Sequence, residues 1–255
     1  MKRIISNKFL LFGLGVVFVL GIWFLLSLAF DINTTILPSP IPTFNEFFSL
    51  LGKKSMYISL GYTVLRVFLG FLFSFILAII LGTFAGNHPA LYHFLKPLMT
   101  VIKSIPTVAL VFLFITLITP RNTPIFVVIV ICLPILYEGV VGGVKNVPSQ
   151  INEASRVDGA HYFKRTLFIK LPLAIPYVLV AIASSFSLSF KIEIMAEVVA
   201  GLTKNGLGSA ITAARSEDPT TLTGVFACSL FAILFMLIVT LLEEVIKKFF
   251  KRENA

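Results

Sequence analysis

Long apolar segments alternate with short polar ones along the whole chain, and this alternation is the strongest signal in the sequence. A helix needs roughly 20 apolar residues to cross a hydrocarbon core of about 30 Å. Segments of about that length occupy residues 9–30, 62–85, 98–118, 125–144, 173–197 and 222–242. The pattern therefore predicts an all-α polytopic membrane protein with six transmembrane helices.

The predicted spans divide the chain into three parts. Residues 1–61 hold the first transmembrane helix and an extracytoplasmic loop, residues 62–246 hold the other five spans, and residues 247–255 form a basic tail. The first span is too long for the apolar region of a signal peptide, so we expect it to stay as a membrane anchor.

Composition supports a membrane protein. Hydrophobic residues make up 57% of the chain and charged residues 13%, about half the charged fraction of a soluble domain. Cys132 and Cys228 lie in apolar segments, and we interpret them as core residues rather than a disulfide. His88 and His93 are off the helical i, i+4 spacing and have no cysteine or carboxylate cluster beside them, so we predict no metal site.

Lysine and arginine residues are distributed unequally between the two sides of the predicted membrane. Thirteen lie on the side that holds both termini and the polar segment between the fourth and fifth spans, and five lie on the other side. Cytoplasmic loops carry an excess of these residues. The distribution predicts that both termini and this polar segment are cytoplasmic, and it accounts for the net charge of +9 without a nucleic-acid partner.

Residues 149–172 are the one long polar stretch between strongly apolar segments. Their pattern predicts a short helix, an interruption at Gly159 and a second amphipathic helix that carries Phe163 and several basic residues. Exposed aromatic residues on such a protrusion suit a pocket in another protein. The alternative is an ordinary amphipathic loop at the membrane interface.

The motif in this stretch is Glu153-Ala154-Ser155, three residues, Gly159, nine residues and Ile169-Lys170-Leu171-Pro172. It resembles the EAA loop of ABC importer permeases, and it departs from that pattern only at Ser155, where the family has alanine. Further similarity to the nitrate/sulfonate/taurine-type permeases lies in Leu37-Pro38-Ser39-Pro40, Ser59 to Arg66 with Gly70, Ser104-Ile105-Pro106, and Ala196-Glu197 followed by Gly206-Leu207-Gly208.

This resemblance implies a type I ABC importer transmembrane domain in a bacterial plasma (inner) membrane, with residues 62–246 as its permease core. It implies that residues 149–172 dock on cytoplasmic ABC ATPase subunits, which bind ATP and Mg²⁺. It also implies an extracytoplasmic solute-binding protein and a second permease copy, as a homodimer among membrane lipids. The chain itself has no GxxxxGK[ST] phosphate-binding loop, so we expect no bound cofactor and no catalytic residue.

The resemblance places the candidate coupling residues in the EAA-like loop. Glu153 would accept hydrogen bonds from the ATPase, or would stabilise its own helix through the macrodipole by roughly 0.3–1 kcal/mol. Gly159 would allow a turn at positive φ or a close approach, and Pro172 would set where the fifth span leaves the membrane surface. The full set is Glu153, Ala154, Ser155, Asp158, Gly159, Ala160, Phe163 and Pro172.

Polar residues of the fifth span are candidates for the translocation path or its gate, because charged residues are costly inside a membrane. Ser184, Ser187 and Lys191 share a helix face at i, i+3 and i+7. That face would suit an anionic solute, or else Lys191 snorkels to the outer interface. Glu193 and Glu197 also share a face, at i and i+4.

Arg66 and Glu197 stand where the resembled family has an arginine and a glutamate. The sequence leaves three alternatives open for Arg66. It would pair with Glu197, hold an outer gate or contact lipid headgroups. Glu197 precedes the outer glycine-rich loop, and there it would serve a gate or a contact with the binding protein.

The function predicted from these features is that of the permease subunit of an ATP-driven importer. Its solute would be small, for example nitrate, a sulfonate or taurine. The alternative is a secondary transporter driven by an ion gradient, which would have inverted repeats and midplane carboxylates. An intramembrane enzyme would need a catalytic pair within the spans, and no histidine lies well inside one.

Overall fold

The computed structural model describes residues 8–29, 37–157, 161–201, 205–218 and 220–253, and all regular structure in these residues is helical. One π-helical turn, Thr166–Lys170, precedes the long helix Leu171–Ala200. The α-helices are α1 Lys8–Ala29, α2 Pro40–Leu51, α3 Lys54–Asn87, α4 Pro89–Ser104, α5 Thr107–Leu117, α6 Thr123–Lys145, α7 Ser149–Val157, α8 Tyr162–Arg165, α9 Leu171–Ala200, α10 Leu207–Glu217 and α11 Thr223–Glu253. The predicted all-helical class is confirmed.

Four helical segments are long and apolar enough to cross a membrane. They are α3, α6, the continuous stretch Tyr162–Ala200 and α11 over Thr223–Val245. The pair α4 and α5 makes a fifth if it is one broken span, and α1 contributes a shorter apolar helix over Gly13–Ala29. The described residues thus hold four spans, or five with the bent pair, and the six spans and their orientation stay predictions.

The segment predicted as one span over residues 98–118 is not a continuous helix. The helix axis turns by 97° between α4 and α5. Ile105 is extended, with φ −73° and ψ 126°, because the residue before a proline is disfavoured in the helical region. Pro106 has no N–H to continue the helical hydrogen-bond ladder, so the chain restarts as a new helix at Thr107.

The polar and glycine residues of segment 201–220 are typical of a loop, but the segment contains the helix α10. Gly201 ends α9 in the left-handed conformation at φ 66°, which glycine adopts at little cost. After α10, the Asp218 carboxylate accepts hydrogen bonds from the hydroxyls of Thr220, at 2.5 Å, and Thr221, at 2.9 Å. These bonds hold the pKa of Asp218 below its ordinary value.

The chain divides into two compact units, Met1–Ile58 with Ala210–Leu234, and Ser59–Ser209 with Phe235–Ala255. In the smaller unit, the Trp23 indole donates a hydrogen bond to the Pro38 carbonyl oxygen at 3.1 Å. The Trp23 ring also stacks on Phe226, with 6.0 Å between ring centroids. The hydrogen bond ties α1 to the segment before α2, and the stacking packs α1 against α11 within this unit.

Small residues bring the helices of the larger unit close together. A Cβ on Gly82 of α3 would lie 2.8 Å from Cβ of Val140 on α6, and one on Gly86 would lie 2.7 Å from Cβ of Val144. The four-residue spacing of these glycines thus lets α3 and α6 approach each other closely. On its other side α6 meets α9, where a Cβ on Gly143 would lie 2.6 Å from Cβ of Ala174.

Candidate functional site

Residues 149–172, which are predicted to couple the chain to an ATPase and are called the coupling loop below, are helical on both sides of the predicted interruption. α7 covers its first part, and α8 with the π-helical turn runs directly into α9. The predicted elbow at Asp158, Gly159 and Ala160 lies outside the described residues. α8, the π-helical turn and α9 form one continuous helix of 39 residues, so Tyr162 lies on the same helix as the residues of the fifth predicted span.

The coupling loop exposes large apolar side chains. Val157 is 87% exposed, Phe163 is 63% exposed and Phe168 is 75% exposed. Glu153, Ala154 and Pro172 are exposed as well. Such a surface fits docking to another molecule better than it fits contact with water.

Ser155 is the one described member of the predicted coupling set that is buried, at 5% exposure. Its hydroxyl donates a hydrogen bond to the Asn152 carbonyl oxygen one turn earlier, at 2.8 Å. The hydroxyl that distinguishes serine from alanine is therefore satisfied inside its own helix. The departure from the EAA pattern thus leaves the exposed surface of α7 unchanged.

Two predicted residues, Arg66 and Glu197, form a buried polar cluster with Thr63 and residues 205–208, which we call the Glu197 cluster. Nη1 of Arg66 lies 2.6 Å from Oε1 of Glu197. The Thr63 hydroxyl lies 3.0 Å from both carboxylate oxygens, and the Gly208 N–H donates to Oε2 at 2.8 Å. Glu197 is fully buried and Arg66 is 7% exposed. Arg66 is therefore paired with Glu197 inside the chain and does not contact lipid headgroups.

Residues 205–208 pack directly against Arg66, Thr63 and Glu197. Nη1 of Arg66 also donates to the Asn205 carbonyl oxygen at 2.7 Å, and the Leu207 N–H donates to the Thr63 hydroxyl at 2.9 Å. A Cβ on Gly208 would lie 2.5 Å from Cβ of Glu197, closer than real Cβ contacts come. Residues 205–208 therefore pack tightly against the carboxylate, and Gly208 contacts it through its backbone N–H.

Glu193 lies one turn before Glu197 and is also fully buried. Neither of its carboxyl oxygens has a hydrogen-bond partner within the described part of the chain. An ionised carboxylate without a partner is very costly in an apolar environment. Glu193 and Glu197 thus share a helix face, as predicted, in two very different environments.

The predicted polar face of α9 is split by the fold. Ser184 and Lys191 are exposed, whereas Ser187 is buried at 7% exposure. The Ser187 hydroxyl lies 3.4 Å from the Thr240 hydroxyl of α11. Lys191 therefore lies on the surface of this chain, where a membrane path or lipid headgroups would reach it.

Sequence reasoning missed a set of contacts between the coupling loop and the turn that joins α3 to α4. The Lys170 ammonium donates to Oδ1 of Asn87 at 2.6 Å. The Tyr162 hydroxyl and Nε2 of His88 share a hydrogen bond of 2.8 Å. These partners are 83 and 74 positions apart, and no local pattern marks them.

An apolar cavity of about 360 Å³ lies between α3, α6 and α9. Its lining includes Phe75, Ile79, Val140, Leu167, Leu171 and Ile182.

No set of three metal-ligating side chains is grouped within the described residues.

The family model described as "Binding-protein-dependent transport system inner membrane component" matches residues 74–252. The putative aliphatic sulfonates transport permease protein SsuC of Bacillus subtilis is 23% identical over 203 residues, which are 79% of this chain and 73% of SsuC. The nitrate import permease protein NrtB of Synechocystis is 27% identical over 179 residues, which are 65% of this chain and 64% of NrtB.

Solved structures give the same fold at low identity. An inward-facing structure of the MetNI methionine ABC transporter matches with a TM-score of 0.61 at 18% identity, over 74% of this chain and 92% of the solved one. A crystal structure of an amino acid ABC transporter with histidines matches with a TM-score of 0.64 at 16% identity, over 79% and 97%.

Proposed function

Because the chain belongs to the family of binding-protein-dependent transport system inner membrane components, we propose that it forms the translocation path of an ATP-driven importer and that residues 149–172 couple it to a cytoplasmic ATPase. It is a multi-pass inner-membrane protein and a permease of the ABC transporter class. The exposed Val157, Phe163 and Phe168 on a loop that continues into α9 carry the coupling proposal. In this arrangement, the ATPase subunits bind ATP and Mg²⁺ and displace the coupling loop.

The proposed topology has both termini in the cytoplasm and six spans, formed by α1, α3, the bent pair α4 and α5, α6, α9 and α11. The distribution of lysine and arginine supports this orientation. Residues 1–61 then hold the first span and an extracytoplasmic loop, residues 62–246 the permease core, and residues 247–255 a cytoplasmic tail. The Glu197 cluster lies at the extracytoplasmic side in this topology and closes that end of the core.

Two copies of this chain enclose the path, and an extracytoplasmic binding protein delivers the solute. We propose a small anion such as nitrate, a sulfonate or taurine, because Lys191 is exposed on α9 and relatives named for sulfonates and nitrate match the chain. Alternating access requires two global states of similar free energy, which ATP and the loaded binding protein bias. A secondary transporter would not need the exposed cytoplasmic loop.

The test of coupling is capture of the ATPase subunits by Phe163→Ala in detergent-solubilised membranes. Truncation of an anchor side chain costs about 2 kcal/mol, so we expect roughly 30-fold weaker capture. Phe112→Ala is the matched control, because Phe112 is 59% exposed on α5, outside the loop. Equal capture by both variants would contradict coupling through this loop. Solute uptake by the chain alone, without ATPase, would instead favour the gradient-driven alternative.

A further inference from the structure

The turn between α3 and α4 consists of a single residue. α3 ends at Asn87, α4 begins at Pro89, and only His88 lies between them. His88 is extended, with φ −122° and ψ 105°, and Pro89 has its own φ fixed by the ring. The His88 N–H still donates to the Phe84 carbonyl oxygen at 3.0 Å. The turn is therefore a stiff corner, and a force applied to it reaches both helices.

Two side-chain bonds join this corner to the coupling loop, and we call them the loop–turn contacts: Lys170 with Asn87 and Tyr162 with His88. They lie at the two ends of the helical stretch that contains the π-helical turn. The amide of Asn87 is oriented by its own bond, since Nδ2 donates to the Thr83 carbonyl oxygen at 2.9 Å. Oδ1 is thereby held toward Lys170.

α4 connects the corner at His88 to the bend between α4 and α5. It runs from Pro89 to Ser104 and ends at the 97° bend before α5. Near its first turn, the Lys145 ammonium of α6 lies 3.0 Å from the centroid of the Tyr92 ring. Near its end, Lys103 forms an ion pair with Glu138 of α6. α4 is thus held along its length and can move as one body with its neighbour.

We propose that Asn87 and His88 are positioning residues that transmit displacement of the coupling loop into α4 and the bent α4–α5 pair. The inference rests on the proposed coupling function of residues 149–172. It adds a second route to the direct one through α9, because the loop–turn contacts act on α3 and α4 rather than on the helix that continues the loop. Partners joined by such a route respond as one unit, so their substitutions are non-additive.

The experiment follows α4 in the full complex of this chain with its ATPase subunits. Nitroxide labels at Leu237→Cys on α11 and Val101→Cys on α4, both exposed positions of the larger unit, report the separation of these two helices by pulsed electron resonance. The complex is compared without nucleotide and after trapping with ATP, Mg²⁺ and vanadate. We expect trapping to shift the distance distribution. A complex without any shift would overturn the inference, because α4 would then be stationary.

The variants test whether the loop–turn contacts carry that shift. Tyr162→Phe removes one hydroxyl oxygen and keeps the ring, so folding is preserved even if His88→Ala proves unstable. We expect each variant to reduce the shifted-to-unshifted ratio about 5-fold or more, and the double variant to behave like either single one. Tyr177→Phe is the control, since Tyr177 is an exposed tyrosine of α9 away from the turn. Full shifts in both test variants would overturn the inference.

A rescue separates positioning from mere stability. Asn87→Leu removes the acceptor for Lys170, whereas Asn87→Asp keeps an oxygen there, so we expect Asp to restore the shift that Leu loses. If Asn87→Asp loses the shift of the distance distribution as completely as Asn87→Leu does, the proposed role of the Lys170–Asn87 hydrogen bond is contradicted. ATPase capture is measured in every sample. If Phe163→Ala captures the ATPase subunits normally, the proposed coupling function itself is refuted. If capture does depend on Phe163 but the loop–turn variants show full shifts of the distance distribution, only this inference is refuted.

Discussion

Arg66 and Glu197 lie 131 positions apart in the sequence, and Nη1 of the arginine is 2.6 Å from Oε1 of the glutamate inside the larger unit. Arg66 comes from α3 and Glu197 from the last turn of α9. The same carboxylate receives the Gly208 N–H, and the same guanidinium reaches the Asn205 carbonyl oxygen. One ion pair therefore fixes two helices and the turn after α9 together.

Removing one partner of this pair should be strongly destabilising. Arg66→Met leaves the Glu197 carboxylate buried without its cation, which typically costs about 3–5 kcal/mol. The measurement is the midpoint of thermal unfolding in detergent, followed by the circular dichroism of the helices. Lys53→Met is the control, because Lys53 and Glu46 form an exposed pair at 3.0 Å and such pairs contribute about 0–1 kcal/mol. Equal shifts in the two variants would show that the buried pair has no special weight.

Glu193 should respond to neutralisation in the opposite way to Glu197. Its carboxyl group has no hydrogen-bond partner in the described structure, so Glu193→Gln removes no bond and no ion pair. We expect unfolding of Glu193→Gln at the same or a higher temperature than the unsubstituted chain, whereas Glu197→Gln loses the charge that faces Arg66. A loss for Glu193→Gln as large as that for Glu197→Gln would mean that Glu193 has an ionic partner.

Adjacent glycines of α6 offer a matched pair for testing helix packing. A Cβ on Gly143 would meet Cβ of Ala174 at 2.6 Å, whereas a Cβ on Gly142 would have no neighbour within 4 Å. Gly143→Ala overpacks the contact with α9 and should cost about 1–3 kcal/mol. Gly142→Ala should be neutral or stabilise by about 0.5–1 kcal/mol, since alanine favours helix. Thermal unfolding of both variants decides, and a destabilised Gly142→Ala would contradict the packing described for this face.

Local patterns in the sequence predicted the structural features that are determined by residues close together in the chain. The apolar segments around residues 62–85 and 125–144 lie within α3 and α6, because their length and composition suffice to make a membrane helix. The four-residue spacing of glycines in α3 favours the close approach of another helix, and the structure shows that this helix is α6. Polar and glycine residues in segment 201–220 hid α10, since they resemble loop composition more than helix.

Contacts between distant segments could not be predicted in this way. The sequence left three alternatives for Arg66, and only the fold shows that its partner is Glu197. Thr63 carries no signal of its own, yet its hydroxyl touches a carboxylate 134 positions away. Asn205 takes part through its backbone carbonyl oxygen, which every residue has. The same reason hid His88 and Asn87, whose partners are in the coupling loop.

Lys191 distinguishes a role in the path from a role at the membrane surface. It is exposed on α9, two residues before the buried Glu193. If it lines the path of an anionic solute, Lys191→Met removes an attractive charge and should lower ATP-driven uptake of taurine or nitrate, whichever the intact importer accepts, while assembly with the ATPase stays normal. Transport is measured as solute uptake into proteoliposomes, and assembly is measured as co-purification with the ATPase.

The control for this prediction is Lys54→Met, which makes the same change of charge at an exposed position at the start of α3. Both lysines lie on the extracytoplasmic side in the proposed topology, so a general effect of surface charge on solute concentration would lower uptake equally in the two variants. A path lysine would affect uptake only at Lys191. Unchanged uptake in Lys191→Met would assign the residue to the outer interface, where long basic side chains reach lipid headgroups while their stems stay in the membrane.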